Sequence, residues 1–182
     1  MTFLPKGYEQ PKTAGNYFKF AKGENRFRIL GPAVVGYEYW NTDNKPVRSP
    51  EGWEDRPADM KPDTNVKHFW AFPVWNYDAS RVQVMELTQK SIMGSIKSYV
   101  ENKKWGDPTG YDLVVTRTGE GLETEYTTIA EPHSPAPKAD ISKVNVKALF
   151  GGGDPFSEHS WGEMETGIEY PDEKIDPESI PF

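Results

Sequence analysis

The sequence contains no cysteine, only three histidines and no long apolar run, and each absence removes a class of protein. Without cysteine there is neither a disulfide framework nor a thiolate zinc site. No apolar stretch approaches the ~18 residues that a membrane span needs. The N-terminus lacks a basic start followed by an apolar core, so it does not resemble a signal peptide. We therefore expect a cytoplasmic protein without a membrane segment.

The scarcity of histidine also weakens the case for an enzyme. His68, His133 and His159 form no i, i+4 pair, and no glycine-rich loop has the spacing of a phosphate-binding motif. We interpret His68 as a barrel residue with a satisfied ring. The expectation is no catalytic residue, no metal site and no cofactor. Because acidic residues are numerous, a nuclease with Mg²⁺ held by distant carboxylates stays open as an alternative.

The charge of the chain is distributed unevenly. The 182 residues carry a formal net charge of −7. Residues 1–150 contain 20 Lys and Arg against 19 Asp and Glu, whereas residues 151–182 contain one Lys against nine acids. We expect a folded domain over 1–150, with a basic arm that docks through Phe18 and Phe20. A disordered acidic interaction tail is expected over 151–182.

Hydrophobic periodicity predicts an all-β domain with one central helix. Gly31 and Pro32 interrupt the first alternating stretch, which suggests one long, bent strand. Apolar residues with helical spacing predict an amphipathic helix over Gln89–Glu101, with Thr88 as its N-cap. Residues 41–65 form a long proline-rich loop, and residues after 140 suit either a short helix or a strand. Strands are predicted at 25–30 with 34–40, and at 66–77, 81–87, 111–118 and 124–130. This order is that of a five-stranded Greek-key barrel of the OB-fold type.

The strand at 66–77 is aromatic on both faces, which is unusual. If Trp70, Phe72 and Val74 point inward, Phe69, Trp75 and Tyr77 lie on the other face. Exposed rings stack on nucleobases and neighbouring cations hold phosphates, so this face predicts a platform for single-stranded nucleic acid. The open alternative is that the second face lies under the arm or under a dimer partner. The predicted DNA-binding residues are Arg26, Arg28, Tyr37, Tyr39, Trp40, Arg48, Lys67, Phe69, Trp75, Tyr77, Arg81 and Arg117.

The tail closes with an apolar tip after a run of acids. Asp176 and Glu178 precede Ile180, Pro181 and Phe182. An apolar ring can fill a small pocket on a partner while the acids steer the tail toward a basic surface. We expect these five residues to form a partner-binding tip. The competing interpretation is an acidic solubilising tail.

Several segments resemble a known family. They are GYEYWN at 36–41, KPVRS at 45–49, KHFWAFPVWNYD at 67–78, LTQK at 87–90 and KWGDPTGYD at 104–112. Together with the Ile-Pro-Phe tip, they are similar to phage single-stranded DNA-binding proteins. The resemblance implies an OB fold, binding of single strands in viral DNA replication, recombination and repair, no enzymatic activity, and recruitment of partners through the tail. Ser179 departs from the pattern, because bacterial tips usually hold an acid there.

These observations together predict a sequence-independent single-stranded DNA-binding protein of phage type, acting in the host cell cytoplasm. Its expected partners are single-stranded DNA and replication or recombination proteins, and homodimerisation stays open. The alternative from another class is a protein-interaction adaptor or structural subunit, whose exposed aromatics form an oligomer interface.

Overall fold

A sheet of seven strands and one α-helix form the body of the protein. The computed structural model describes residues 3, 5–8 and 15–156. The acidic tip lies outside the described residues. The elements are β1 (Gly23–Ile29), β2 (Val34–Trp40), β3 (Pro46–Ser49), β4 (Lys67–Asn76), β5 (Arg81–Leu87), α1 (Lys90–Glu101), β6 (Asp112–Thr118) and β7 (Glu125–Ala130), with 3₁₀ helices at Pro108–Gly110, Gly121–Glu123 and Val146–Gly151.

The strand pairing is antiparallel and centres on β4. The strands lie in the order β3-β2-β4-β1-β6-β7, and β5 pairs with the other edge of β4. One edge of β4 is shared, because β2 pairs with its first half and β1 with its second half. The break at Gly31 and Pro32 allows the consecutive strands β1 and β2 to pair with different halves of this edge. The predicted all-β class with one helix is confirmed. Strand β3 was not predicted, since its four residues lie inside the proline-rich loop.

The sheet is open, and the N-terminal arm occupies the gap. In the described part of the chain, β5 and β7 do not pair, so a closed five-stranded barrel is not confirmed. The arm runs along β5, where the Phe18 N–H donates to the Val84 carbonyl at 2.9 Å. The ring of Phe20 packs against Tyr126 of β7, with centroids 5.7 Å apart. The predicted docking of the arm through Phe18 and Phe20 is confirmed.

The main hydrophobic core lies between the inner face of the sheet and helix α1. Phe72 and Val74 point into it as predicted, and Ile92 and Ile96 supply the buried stripe of the helix. Burying each such side chain stabilises the fold by roughly 1.5–3 kcal/mol. The helix matches its predicted range to within one residue. Its N-cap position, however, is Gln89, whose side chain makes no capping hydrogen bond.

A second core cluster lies on the opposite face of the sheet. Residues 141–156, which we call the C-terminal cover, pack across β2, β4 and β5. Val146 and Leu149 of the cover are buried against Phe69, and the predicted short helix or strand is a 3₁₀ helix here. Gly36 makes this approach possible, because a Cβ at that position would lie 2.7 Å from the ring of Phe150.

Candidate nucleic-acid interface

The C-terminal cover closes much of the predicted aromatic platform. Phe69 has no solvent-exposed surface. The Arg48 guanidinium lies over the Phe69 ring at 6.0 Å and forms ion pairs with Glu38 at 3.3 Å and Glu86 at 2.8 Å. The positions of Phe69 and Arg48 therefore do not support their predicted contacts with DNA. The C-terminal cover packs on the Phe69 ring, where a DNA base was expected to stack. The carboxylates of Glu38 and Glu86 pair with Arg48, where a phosphate was expected.

The Arg48 cluster also has an unusual protonation behaviour. Glu38 and Glu86 share one guanidinium in a largely buried position. Burial raises the pKa of Glu38, and the hydrogen bond and negative charge of Glu86 add to this, so that the pKa reaches about 8 despite the opposing effect of Arg48. Glu38 therefore titrates above the usual carboxyl range.

Arg28 was predicted to face outward, and it does lie on the outer side of β1, but it is fully buried. Its Nε donates to Asp112 Oδ1 at 2.6 Å, and its terminal nitrogens donate to the Thr109 carbonyl and to Ser134. The loop that precedes β6 and the loop that follows β7 close over this guanidinium. Arg28 therefore has no contact surface for DNA, and its predicted role is corrected to that of a buried structural cation.

The neighbouring residues Arg26, Trp75 and Tyr77 keep part of their surface. The Arg26 side chain is 54% exposed, and its guanidinium lies 5.3 Å from the centre of the Tyr77 ring. It is also bonded to Asp112 at 2.7 Å. The groove beside Arg26 is lined by the acids Glu24, Asp78 and Glu131. Three carboxylates repel phosphate, so this patch is a weaker candidate than its rings suggest.

Two further predicted phosphate ligands hold the N-terminal arm instead. Arg81 donates to Asn16 Oδ1 at 2.8 Å, and Arg117 donates to the Phe20 carbonyl at 3.0 Å. Tyr39 is buried, and its hydroxyl donates to Asp59 at 2.8 Å. These three side chains stabilise the arm and the long loop. Their predicted contacts with DNA are not supported by their positions.

The exposed aromatic and basic side chains converge in a different place, at one end of the sheet. There Tyr37, Trp53 and His68 line a pocket of about 680 Å³ together with Lys67 and Lys90. We call this the aromatic pocket. Its remaining lining residues are Glu51, Gly52, Val66, Thr88 and Met93. Of the predicted DNA-binding residues, only Tyr37 and Lys67 line the aromatic pocket.

Strand register and one glycine explain how these rings meet. Tyr37 of β2 lies opposite His68 of β4, so the two side chains share a face, and their ring centroids are 5.1 Å apart. Trp53 reaches the pocket from the long loop and is held edge-on against Tyr39 at 4.7 Å. Gly52 has φ +76° and a Cβ there would lie 3.3 Å from Tyr37, so glycine lets the loop approach this closely.

The positive charge of the pocket is available for a ligand. Lys67 and Lys90 are exposed, and neither forms an ion pair with another residue that the structure describes. Lys90 is also the first residue of α1, whose first turn contains no acid. Helix N-termini favour anions because their N–H groups and the helix dipole point toward the ligand. The arrangement suits an anionic group next to a flat ring.

A second groove of about 660 Å³ has a different character. It lies between α1 and the bend after β1 and is lined mainly by apolar side chains. The charged residues that line it are Lys97, Glu101 and Asp107, and Lys97 is paired with Glu101 at 3.7 Å. A site with two acids and one paired lysine does not favour phosphate. The aromatic pocket is therefore the better candidate.

Sequence reasoning missed Trp53, His68 and Lys90. Trp53 lies in the loop, where no periodicity signals the direction of a side chain. His68 was interpreted as a barrel residue with a satisfied ring, and the structure places it, exposed, near the start of β4. The one available signal was the cation–aromatic run Lys67, His68, Phe69, of which the first two side chains line the pocket and the third belongs to the second core cluster. Trp40 is 45% exposed and lies outside the pocket.

Comparisons with protein-family models, curated proteins and solved structures found no match for this chain. Within residues 3, 5–8 and 15–156, no group of three or more His, Asp or Glu is placed to hold a metal ion. The same part of the chain contains no helix of the length and apolarity that crossing a membrane demands.

Proposed function

We propose that the protein binds single-stranded DNA without sequence readout, and that it acts by binding rather than by catalysis. The observation that carries the proposal is the aromatic pocket, whose lining combines three rings with two lysines that form no ion pair among the described residues. Bases stack on exposed aromatic rings, and lysines neutralise the phosphates between them. We assign the domain to the OB type, with β1 and β2 as its bent first strand and the N-terminal arm in place of a closing strand pair.

The sequence resemblance supports the same function and extends it. It suggests a role in phage replication and recombination in the host cytoplasm, with partners recruited through the acidic tip. The near-neutral charge of residues 1–150 agrees with a compact cationic site rather than a broad basic surface. The pocket lysines concentrate positive charge at the place where the rings are exposed.

The test is an oligothymidine titration of the full chain, followed by tryptophan fluorescence at several salt concentrations. We expect quenching that weakens as salt rises. Each phosphate contact with a single strand contributes a slope of about −0.7 in log K against log salt, so the double substitution Lys67→Ala and Lys90→Ala should reduce the slope by ~1.4. Lys97→Ala is the matched control, since Lys97 lies on the same helix but outside the pocket.

The contrary result is equally clear. A folded protein that gives no fluorescence change with oligothymidine at low salt, and no retention of the oligonucleotide on a filter, does not bind single strands. The adaptor alternative would then be preferred. In that case the exposed rings should change the oligomeric state when replaced by alanine.

A further inference from the structure

We propose that the aromatic pocket is a single-nucleotide site, which takes one base out of the stacked strand and holds the adjoining phosphate. This inference rests on the proposed function and deepens it. A flat platform accepts bases that remain stacked on their neighbours. A recessed pocket accepts only a base that has separated from them.

The shape of the site suits a single nucleotide. Its walls come from three separate parts of the chain: the paired ends of β2 and β4, the loop around Trp53, and the start of α1. Met93 of α1, which is 8% exposed, also lines this space. The volume of about 680 Å³ is within the ~300–1,000 Å³ of small-ligand sites. The pocket thus has room for one nucleotide unit.

The side chains that line the pocket suit the two parts of a nucleotide, its base and its phosphate. The rings of Tyr37, His68 and Trp53 offer surfaces on which a base can pack. The positive end of α1 and Lys90 lie together, so the phosphate belongs on that side. The one acid in the lining, Glu51, comes from the loop beside Trp53. It repels phosphate and so favours the same orientation.

The consequence is selection for unpaired nucleotides. A base inside a duplex is covered on both faces and paired along its edge, so it reaches a recessed pocket only by leaving the helix. A single strand meets this requirement with little penalty. The pocket would therefore discriminate single strands from duplex at the level of the individual base, in addition to any preference of the phosphate contacts.

The test uses the full chain and the mononucleotide dTMP, with 2-deoxyribose 5-phosphate as the probe that lacks a base. Saturation-transfer NMR should show signals for the thymine methyl group, and deoxyribose phosphate should bind at least tenfold more weakly. The double substitution Tyr37→Ala and His68→Ala should abolish the thymine signal. Tyr8→Ala is the matched control, because Tyr8 is an exposed ring outside the pocket, and this variant should retain the signal.

The outcomes separate the inference from the proposed function. If oligothymidine binds but dTMP shows no saturation at its base, or competes no better than deoxyribose phosphate, the single-nucleotide site is refuted and strand binding stands. If the thymine signal survives in the Tyr37 and His68 variant, the location is refuted. If neither oligothymidine nor dTMP binds the folded chain, both proposals fail.

Discussion

The buried ion pair between Arg28 and Asp112 gives the sharpest test of the fold. Arg28 has no exposed surface, and the Asp112 side chain is 3% exposed. Substituting Asp112→Asn keeps the shape of the side chain but leaves the guanidinium without a carboxylate. Removing one partner of a buried pair costs about 3–5 kcal/mol, because the other charge stays buried and uncompensated. For a chain of this length, that corresponds to a fall in Tm of about 6–20 °C.

The assay is urea and thermal unfolding followed by circular dichroism. The matched control is Glu120→Gln, which breaks the ion pair with Lys22 at the surface, where the two side chains are 85% and 69% exposed. Exposed pairs contribute about 0–1 kcal/mol. The reasoning is refuted if Asp112→Asn unfolds at the same urea concentration as Glu120→Gln. Adding Arg28→Met to Asp112→Asn should recover part of the lost stability, since the uncompensated charge is then gone.

The same network predicts a response to acid. Burial by itself would raise the pKa of Asp112, but hydrogen bonds from Tyr77, Arg26 and Arg28, together with the charge of Arg28, hold that pKa below its usual range. The stabilisation by Asp112 is therefore fully present above the unfolded carboxyl pKa of about 3.9 and is lost as pH falls through the lower folded value. The Asp112→Asn variant should lose less stability than the native chain between pH 5 and pH 2.

Three further predictions concern single positions. Gly36→Ala should destabilise the chain by about 1–3 kcal/mol in urea unfolding, because its Cβ would lie 2.7 Å from the ring of Phe150, and an unchanged midpoint would contradict the packing of the C-terminal cover. Gly94→Ala should stabilise by about 0.5–1 kcal/mol, since Gly94 is an exposed helical residue with open space around it, and a lower Tm would count against this. Glu38 has its pKa raised to about 8 by burial and by Glu86, so its contribution to stability is present below the unfolded pKa and is lost as pH rises through 8. Glu38→Gln should flatten the fall in unfolding free energy between pH 5 and pH 9, and an unaltered pH profile would refute the assignment.

Local pattern was sufficient for helix α1 and for every strand of the domain except β3. The alternation around Phe72 and Val74 identified β4 and its inner face, and the spacing of Ile92 and Ile96 identified α1. These features depend on neighbours within one or two turns, which a sequence displays directly. The bend at Gly31 was visible for the same reason, because it depends on residue type.

Long-range contacts decided the candidate site. Both faces of β4 read as aromatic, but the sequence has no signal that residues 141–156 return to bury Phe69. The partners of Arg28 are likewise remote, since Asp112 lies 84 residues away and Ser134 lies 106 away. Periodicity indicates that a side chain points away from the main core, but it does not indicate whether another segment covers it. Sequence alone therefore determined the strands other than β3, the helix and the division of charge along the chain. Only the tertiary structure decided which rings and cations remain open to a ligand, because that depends on packing between segments far apart in the chain.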